Sequence, residues 1–340
     1  MKETLRVEWI SPVNDKDIIG NSLGYGLANK NMKAALEAQY NLEWRQAPAL
    51  HFVTPQFFFR IPNKKNYIYT MCEHEWLSDD YKIAFEKADA IITVSNFCKS
   101  VFERYTDKPI YVCPLGVDTS IWTAKKRVFK PGKQKFRWLY CGAPNLRKFS
   151  IMEEVWKIFL KDFADVELYI KTTGADIPEE LGDIVHSNNW IIDNRKLNIK
   201  DLVKLYHSAH AMVFLHLGEG YGLTALEAMA TQMPVVVSNH TGTLDFCNKT
   251  NSFPVLVDMG KIQVLVGKGG DVQTKEIDAG IPSIISAMTQ MASVMYKYDK
   301  ANDIARQAVK DARKLTWENA AKRLKEIIEN LDSPSVNLAN

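Results

Sequence analysis

The segment from Gly218 to Ala230 constrains the fold of this chain more than any other part of its sequence. It opens with three glycines in five residues and then runs into strong helix formers without a break. Glycine lets a backbone turn tightly and approach a ligand closely, and the residues from Leu223 onward favour a helix. An apolar run at 211–215 precedes the glycines and is predicted as a strand. Together they predict a strand, a tight turn and a helix N-terminus, whose free N–H groups suit a phosphate.

Two carboxylates, Glu219 and Glu227, lie eight positions apart in this segment. A negative side chain beside a phosphate would repel it, so these groups are expected to face hydroxyl groups of the same ligand. We therefore predict a sugar nucleotide bound by its diphosphate, its ribose and its sugar. The turn residues predicted to hold the ligand are Gly220, Tyr221, Gly222, Leu223 and Thr224. The alternative is a glycine-rich loop before an amphipathic helix, with no ligand.

Short apolar runs alternate with helical stretches along both halves of the chain, as in βαβ units. Strands are predicted at Leu5–Ile10, Ala49–Val53, Tyr67–Met71, Ala90–Val94, Ile110–Cys113, Phe136–Tyr140, Val166–Lys171, Trp190–Ile192, Ala211–Leu215 and Val235–Val237. Residues 255–282 carry several glycines and are predicted to form a hairpin or a flexible insertion. The predicted fold class is α/β, with two doubly wound domains.

Several segments resemble a known family. The two glutamates and their spacing resemble the E-x7-E motif of retaining glycosyltransferases with the GT-B fold, in particular family four. The further segments that carry the resemblance are Ala88–Phe97, Tyr111–Asp118, Arg137–Gly142 with the following Arg147-Lys148, and Leu315–Glu318.

This resemblance implies two Rossmann-like domains that face each other across a cleft, and a terminal helix that crosses back to the first domain. The boundaries expected are an acceptor-side domain at 1–124, a linker at 125–135, a nucleotide-sugar domain at 136–300, returning helices at 301–331 and a tail at 332–340. The implied activity moves a sugar from a nucleoside-diphosphate sugar to an acceptor hydroxyl, with retained anomeric configuration and no metal cofactor.

The resemblance also assigns roles in the second domain. Lys148, six residues after Gly142, stands where the family's diphosphate-binding lysine is expected. Ala143 replaces the family's arginine, so Arg147 is expected to serve in its place. Glu227 is expected to accept hydrogen bonds from the ribose, and Glu219 to hold the sugar or the turn. For the Arg-Lys pair, the alternative is a solvated basic loop.

In the first domain, Gly24-Tyr25-Gly26 resembles the family's glycine loop beside the diphosphate, with an ordinary turn as the alternative. Glu73 and His74 follow a predicted strand end and are candidates for contact with the transferred sugar or the acceptor. A structural histidine is the competing interpretation of His74. The aromatic run 57–59 is predicted either to line an acceptor groove or to form a buried strand.

Composition and charge indicate whether the chain is a nucleic-acid-binding, membrane, secreted or metal-binding protein. The 43 basic and 40 acidic residues give a net charge of +3 and are mixed along the chain, so composition provides no sign of a dedicated nucleic-acid or anionic-membrane partner. No apolar run approaches a membrane span, and the first residues enter a strand directly, without the features of a signal peptide. Five scattered cysteines suit buried thiols in a reducing cytoplasm, and no metal site is expected. Cys98 is the one candidate for a reactive thiol.

The sequence identifies neither the acceptor nor a single function for the donor site. The acceptor could be a glycan, a lipid-linked sugar, a protein, a small metabolite or a modified nucleic-acid base, and peripheral contact with a membrane is compatible with each. The same donor site would also suit a sugar-nucleotide epimerase or hydrolase, or a subunit that binds the donor without turning it over.

Overall fold

The computed structural model describes residues 2–11, 23–142, 146–172, 184–187, 189–266 and 273–332. In these ranges the strands are β1 (Glu3–Arg6), β2 (Glu8–Ile10), β3 (Tyr40–Glu43), β4 (Ala49–Phe52), β5 (Asn66–Tyr69), β6 (Ala90–Thr93), β7 (Ile110–Val112), β8 (Phe136–Cys141), β9 (Val166–Lys171), β10 (Ile184–Ser187), β11 (Trp190–Asp193), β12 (Ala211–Phe214), β13 (Val235–Ser238), β14 (Phe253–Val255), β15 (Val257–Val266) and β16 (Gln273–Pro282). The α-helices are α1 (Leu23–Gln39), α2 (Asp79–Lys87), α3 (Asn96–Phe102), α4 (Leu146–Asp162), α5 (Ile199–Ser208), α6 (Leu223–Ala230), α7 (Ile284–Tyr296), α8 (Tyr298–Ala312) and α9 (Trp317–Asp332).

The chain forms two compact units. The first comprises Met1–Gly116 together with Leu315–Asn340, and the second comprises Val117–Lys314. The residues expected to form a linker, 125–135, therefore lie in the second unit, as does α8. The terminal helix α9 lies in the first unit, where it packs against α1. No helix in the described ranges is both long and apolar enough to cross a membrane.

The first unit contains a five-stranded parallel sheet in the order β2-β4-β5-β6-β7. The prediction of one strand over Leu5–Ile10 is wrong, because the chain changes partners at Val7. The Val7 amide donates to the carbonyl of Glu43 (2.9 Å), and the Glu8 amide donates to that of Pro48 (2.9 Å). As a result β1 pairs with β3 in a separate two-stranded sheet, while β2 joins the main sheet.

Helix α1 begins earlier than its sequence indicates. Gly24, Tyr25 and Gly26 lie in its first turns, so the prediction of a glycine loop there is wrong. The physical reason is a tertiary anchor, since the Tyr25 hydroxyl donates to the carbonyl of Val53 (2.6 Å). Along the same helix Met32 is fully buried.

The aromatic run also differs from its prediction. Residues Pro55–Phe57 form a 3-10 turn rather than a buried strand, with Phe57 55% and Phe59 54% exposed.

The second unit is built on a seven-stranded sheet in the order β10-β11-β9-β8-β12-β13-β14, in which β10 is the antiparallel edge. Its core is aromatic, with Trp138, Tyr140 and Trp156 fully buried. The segment 125–135 is attached to this unit through Arg127, which is 5% exposed. Its guanidinium donates to main-chain carbonyls at the C-terminal ends of α5 and α6, those of Ala209 (2.8 Å) and Thr231 (2.6 Å).

Strands β15 and β16 form a hairpin, which was one of the two interpretations of residues 255–282. Strands β15 and β16 pair antiparallel over ten residues each. Since β14 ends at Val255 and β15 begins at Val257, the hairpin leaves the main sheet at the carboxyl end of β14.

All five cysteines are free. Four of them are buried: Cys72, Cys98, Cys113 and Cys247. Cys141 is half-buried at the end of β8. The expectation of buried thiols therefore holds for the first four.

Candidate functional site

The glycine-rich turn of the second unit connects β12 to α6. Gly222 caps the helix with φ of +99° and ψ of +48°, a left-handed conformation that favours glycine. A Cβ atom at this position would lie 2.6 Å from Cγ2 of Thr243. The conformation and the lack of space both require glycine here, so the turn is held in one shape.

The first N–H groups of α6 are available to a ligand. Within the described ranges, no hydrogen bond uses the amide of Leu223 or Thr224 as donor, while the amides of Ala225 and Leu226 bond back to Gly222. Unused amides and the positive end of the helix dipole together attract an anion. The side chain of Tyr221 is 2% exposed and packs against the ring of Phe246, so only its backbone can face a ligand.

A second turn packs against the glycine-rich turn that connects β12 to α6. Residues Thr241–Asp245 form a 3-10 helix after β13, in which the Gly242 amide donates to the Glu219 carbonyl (2.9 Å). The Glu219 amide in turn donates to Oγ1 of Thr241 (3.1 Å). A Cβ atom on Gly242 would lie 2.1 Å from the carbonyl oxygen of Gly220. The two turns are therefore in direct backbone contact, and only glycine fits at position 242.

Glu227 projects from the second turn of α6 toward Tyr206 of α5. The Tyr206 hydroxyl donates to Oε2 of Glu227 at 3.4 Å, and the same hydroxyl contacts the thiol of Cys141 at the end of β8. Burial raises the pKa of Glu227 to about 8, and the hydrogen bond from Tyr206 only partly offsets this. Once ionised, this carboxylate is a strong acceptor for hydroxyl groups.

Glu219 and Gly142 lie near one another at the same edge of the sheet. Gly142 continues from β8, and its amide donates to the carbonyl of Lys171 (3.0 Å). The hydroxyl of Tyr140 lies beside Gly142, and the charge of Glu219 acts on that same hydroxyl. The carboxyl ends of β8 and β12, which are parallel neighbours, therefore bring these predicted residues together.

The remaining candidates lie on α4 and in the first unit. Arg147 and Lys148 lie in the first turn of α4 rather than in a loop. Their side chains and Ala143 lie outside the described residues. In the first unit, Glu73 and His74 are half-buried in the loop that follows β5, at the carboxyl edge of that sheet. Gly24 and Gly26 are helical, as described above.

Three residues of this site were missed in the sequence: Cys141, Tyr206 and His216. His216 lies beneath the glycine turn, where its Nε2 is 3.3 Å from Oγ1 of Thr243 and its amide donates to Oγ of Ser238 (2.9 Å). Tyr206 occupies an apolar position of an amphipathic helix, and nothing in its spacing distinguishes it from an ordinary core residue. The described ranges contain no group of three or more His, Cys, Asp or Glu side chains placed to hold a metal ion.

Comparison with solved structures places this geometry in a known fold. HepE from Anabaena, crystallised with UDP-glucose, superposes with a TM-score of 0.67 at 11% identity over 96% of this chain and 100% of that one. Sucrose-phosphate synthase from Thermosynechococcus elongatus gives 0.62 at 15% identity over 94% and 82% of the two chains.

TarM, which is from S. aureus, gives a TM-score of 0.62 at 14% identity over 82% of this chain and 54% of that chain. This chain thus spans about half the length of TarM. These similarities show the α/β GT-B fold, with two Rossmann-like domains.

Sequence comparison identifies the family. A comparison with curated proteins gave no match. Residues 84–324, however, match the model of the family described as Family 4 Glycosyltransferase in conflict systems. The resemblance to family four that the glutamate spacing indicated is thereby confirmed. Because the match covers well over half of the chain, the protein belongs to this family of glycosyltransferases.

Proposed function

We propose that the protein transfers a sugar from a nucleoside-diphosphate sugar to an acceptor hydroxyl, with retained anomeric configuration and without a metal cofactor. The observation that carries this proposal is the pairing of unused amides at Leu223 and Thr224 with the carboxyl group of Glu227 one turn further on. The amides suit a diphosphate and the carboxylate suits a ribose. The crystal structures of HepE with UDP-glucose and of TarM with UDP support this choice of donor class.

In the proposed reaction, the bond between the anomeric carbon and the donor's phosphate oxygen breaks, and a bond to the acceptor oxygen forms. The acceptor's proton passes to a phosphate oxygen of the departing nucleoside diphosphate, on the same face of the sugar. Donors fixed in advance around the leaving phosphate lower the barrier most. Double displacement needs a nucleophilic carboxylate at the anomeric carbon, and both Glu219 and Glu227 are assigned to donor binding instead.

The first experiment is a thermal-shift screen of UDP-, GDP-, ADP- and TDP-sugars, followed by product analysis with a panel of acceptor alcohols. The proposal expects one donor class to stabilise the protein and NMR to show a glycoside with the donor's anomeric configuration. Turnover that persists in excess chelator supports metal independence. Conversion of the donor without any alcohol would instead indicate an epimerase or hydrolase, and binding without product a non-catalytic subunit.

The affinity for the intact sugar nucleotide is expected to depend on pH through Glu227. Burial raises its pKa to about 8, so the empty protein holds the carboxyl group mostly protonated at neutral pH. Ribose hydroxyls donate to the ionised form, so binding releases a proton below that pKa. The association constant should rise up to about tenfold per pH unit until about pH 8 and then level off. Calorimetry across this range tests it, and Glu227→Gln should flatten the profile.

Loss of Lys148 is expected to slow transfer while leaving the fold intact. By family resemblance its ammonium group neutralises the charge that develops on the leaving diphosphate. Lys148→Ala should lower kcat roughly 100-fold, the usual effect of removing one charge-stabilising donor. Lys157→Ala, on the exposed face of the same helix, serves as the matched control. A Lys148→Ala enzyme as fast as wild type would remove this residue from the mechanism.

We further propose that the protein works in a reducing, cytoplasmic environment, which its five free cysteines suit.

A further inference from the structure

The first unit carries an exposed tryptophan on a surface turn. Residues 44–48, here called the Trp44 turn, connect β3 to β4. The side chain of Trp44 is 62% exposed, which is unusual for so large an apolar ring. The guanidinium carbon of Arg45 lies 5.9 Å from the centroid of the ring and covers it in part.

A second arginine reaches the same turn from β1. The guanidinium of Arg6 donates to the carbonyl of Gln46 at 3.1 Å. In the described part of the chain, neither Arg6 nor Arg45 pairs with a carboxylate. Lys64, by contrast, is paired with Glu8 and also donates to the Trp44 carbonyl (3.3 Å). Two guanidinium groups at this turn thus keep donors that a phosphate can accept from.

The turn is held in a strained conformation. Gln46 has φ of +52°, a left-handed value that residues with a side chain adopt at a cost of about 1 kcal/mol or more. The bond from Arg6 to its carbonyl holds it there. Strain of this kind accumulates at functional sites more than elsewhere. Together with Glu43 and Lys64, these residues line an open surface depression of about 730 Å³.

The Trp44 turn lies at the amino edge of the five-stranded sheet, immediately before β4. Glu73 and His74 follow β5 and therefore lie at the carboxyl edge of the same parallel sheet. A ligand on the Trp44 turn would not compete with one at those residues. The two surfaces of this unit can thus be tested separately.

We propose that the Trp44 turn binds single-stranded nucleic acid, with one base stacked on the indole of Trp44 and the flanking phosphates on Arg6 and Arg45. Every base presents a flat face that an aromatic ring can stack on, and the backbone phosphates suit unpaired guanidinium groups. The nearly neutral net charge of the whole chain does not reveal this surface, because the surface consists of only a few residues. The proposal does not depend on the glycosyl-transfer activity.

Fluorescence anisotropy with a labelled oligothymidylate of about 12 nucleotides at low salt tests the proposal. Wild-type protein is expected to bind it, Trp44→Ala to weaken binding roughly tenfold, and Trp44→Phe to retain most of it. Arg45→Ala should also reduce the slope of log K against log salt by about 0.7, the contribution of one phosphate on a single strand. Tyr296→Ala and Arg313→Ala, which remove an exposed ring and an exposed charge in the second unit, are the controls.

Thermal denaturation of each variant separates loss of binding from loss of folding, and Trp44→Phe serves as the folded comparison if Trp44→Ala is unstable. The proposal is overturned if wild-type protein does not bind the oligonucleotide at about 50 mM salt. It is equally overturned if Trp44→Ala binds as wild type does. Polyphosphate of the same charge should displace the oligonucleotide only weakly. Displacement as strong as by the oligonucleotide itself would mean that charge alone attracts it, which would contradict the proposal.

Discussion

Replacement of Glu227 by alanine should reduce kcat/KM for the donor about a thousandfold. The physical reason is the loss of an acceptor that we expect to bind two ribose hydroxyls. Hydrogen bonds to a charged group contribute about 1.5 to 3 kcal/mol each, and two of them correspond to roughly this factor. Tyr206 would lose its own partner at the same time, since its hydroxyl lies 3.4 Å from Oε2 of Glu227. Donor titration by calorimetry and initial-rate kinetics measure both parts of the effect.

The matched control is Glu154→Ala, which removes an exposed glutamate from α4 of the same unit. Its donor affinity and rate should equal those of wild type. Glu227→Gln keeps the size of the side chain and one acceptor oxygen, so its loss should be intermediate. If Glu227→Ala bound the donor and turned it over at the wild-type level, the ribose assignment would be wrong.

Replacement of Gly242 by alanine should be nearly as damaging, although this residue need not touch the donor. Its new Cβ atom would lie 2.1 Å from the carbonyl oxygen of Gly220, a distance that cannot be tolerated. The glycine turn would have to move by about 1 Å or more, and a misplacement of that size costs about 100-fold in rate. Weaker donor binding adds to this, so kcat/KM is expected to fall by at least several hundredfold.

Leu244→Ala is the control for this variant, because Leu244 lies on the same 3-10 turn with a side chain that is 50% exposed. It should leave kinetics and stability unchanged. A circular dichroism spectrum and a thermal midpoint close to wild type would show that Gly242→Ala is folded. Full activity in folded Gly242→Ala would mean that the contact between the two turns does not position the donor.

The sequence predicted the part of this site that local chemistry dictates. Glycine at 222 is required by a left-handed cap, and the helix after it follows from intrinsic propensity, so that turn and helix were found where predicted. The same reasoning failed at Gly24–Gly26, where glycines also suggested a loop. There a tertiary hydrogen bond from Tyr25 to the carbonyl of Val53 holds the backbone in a helix.

Contacts between distant segments account for what sequence patterns did not predict. In the sequence Tyr206 resembles a core residue. Its contact with Glu227 follows only from the tertiary packing of α5. The first strand ends just before Val7 because successive amides turn to different partners. The Val7 amide bonds to the carbonyl of Glu43, and the Glu8 amide bonds to that of Pro48. Trp44 and Arg6, 38 positions apart in sequence, meet at one turn through the pairing of β1 with β3. Sequence patterns over short spans cannot predict contacts between residues that lie so far apart in the chain.

The central claim is that a diphosphate binds at the N-terminus of α6 while the attached pentose reaches Glu227. A crystal structure of the protein soaked with UDP tests it most directly. We predict phosphate oxygens within hydrogen-bond distance of the amides of Leu223 or Thr224, and ribose hydroxyls on the carboxylate of Glu227. Well-ordered UDP bound at another place, with these amides and this carboxylate left without contact to it, would contradict the account.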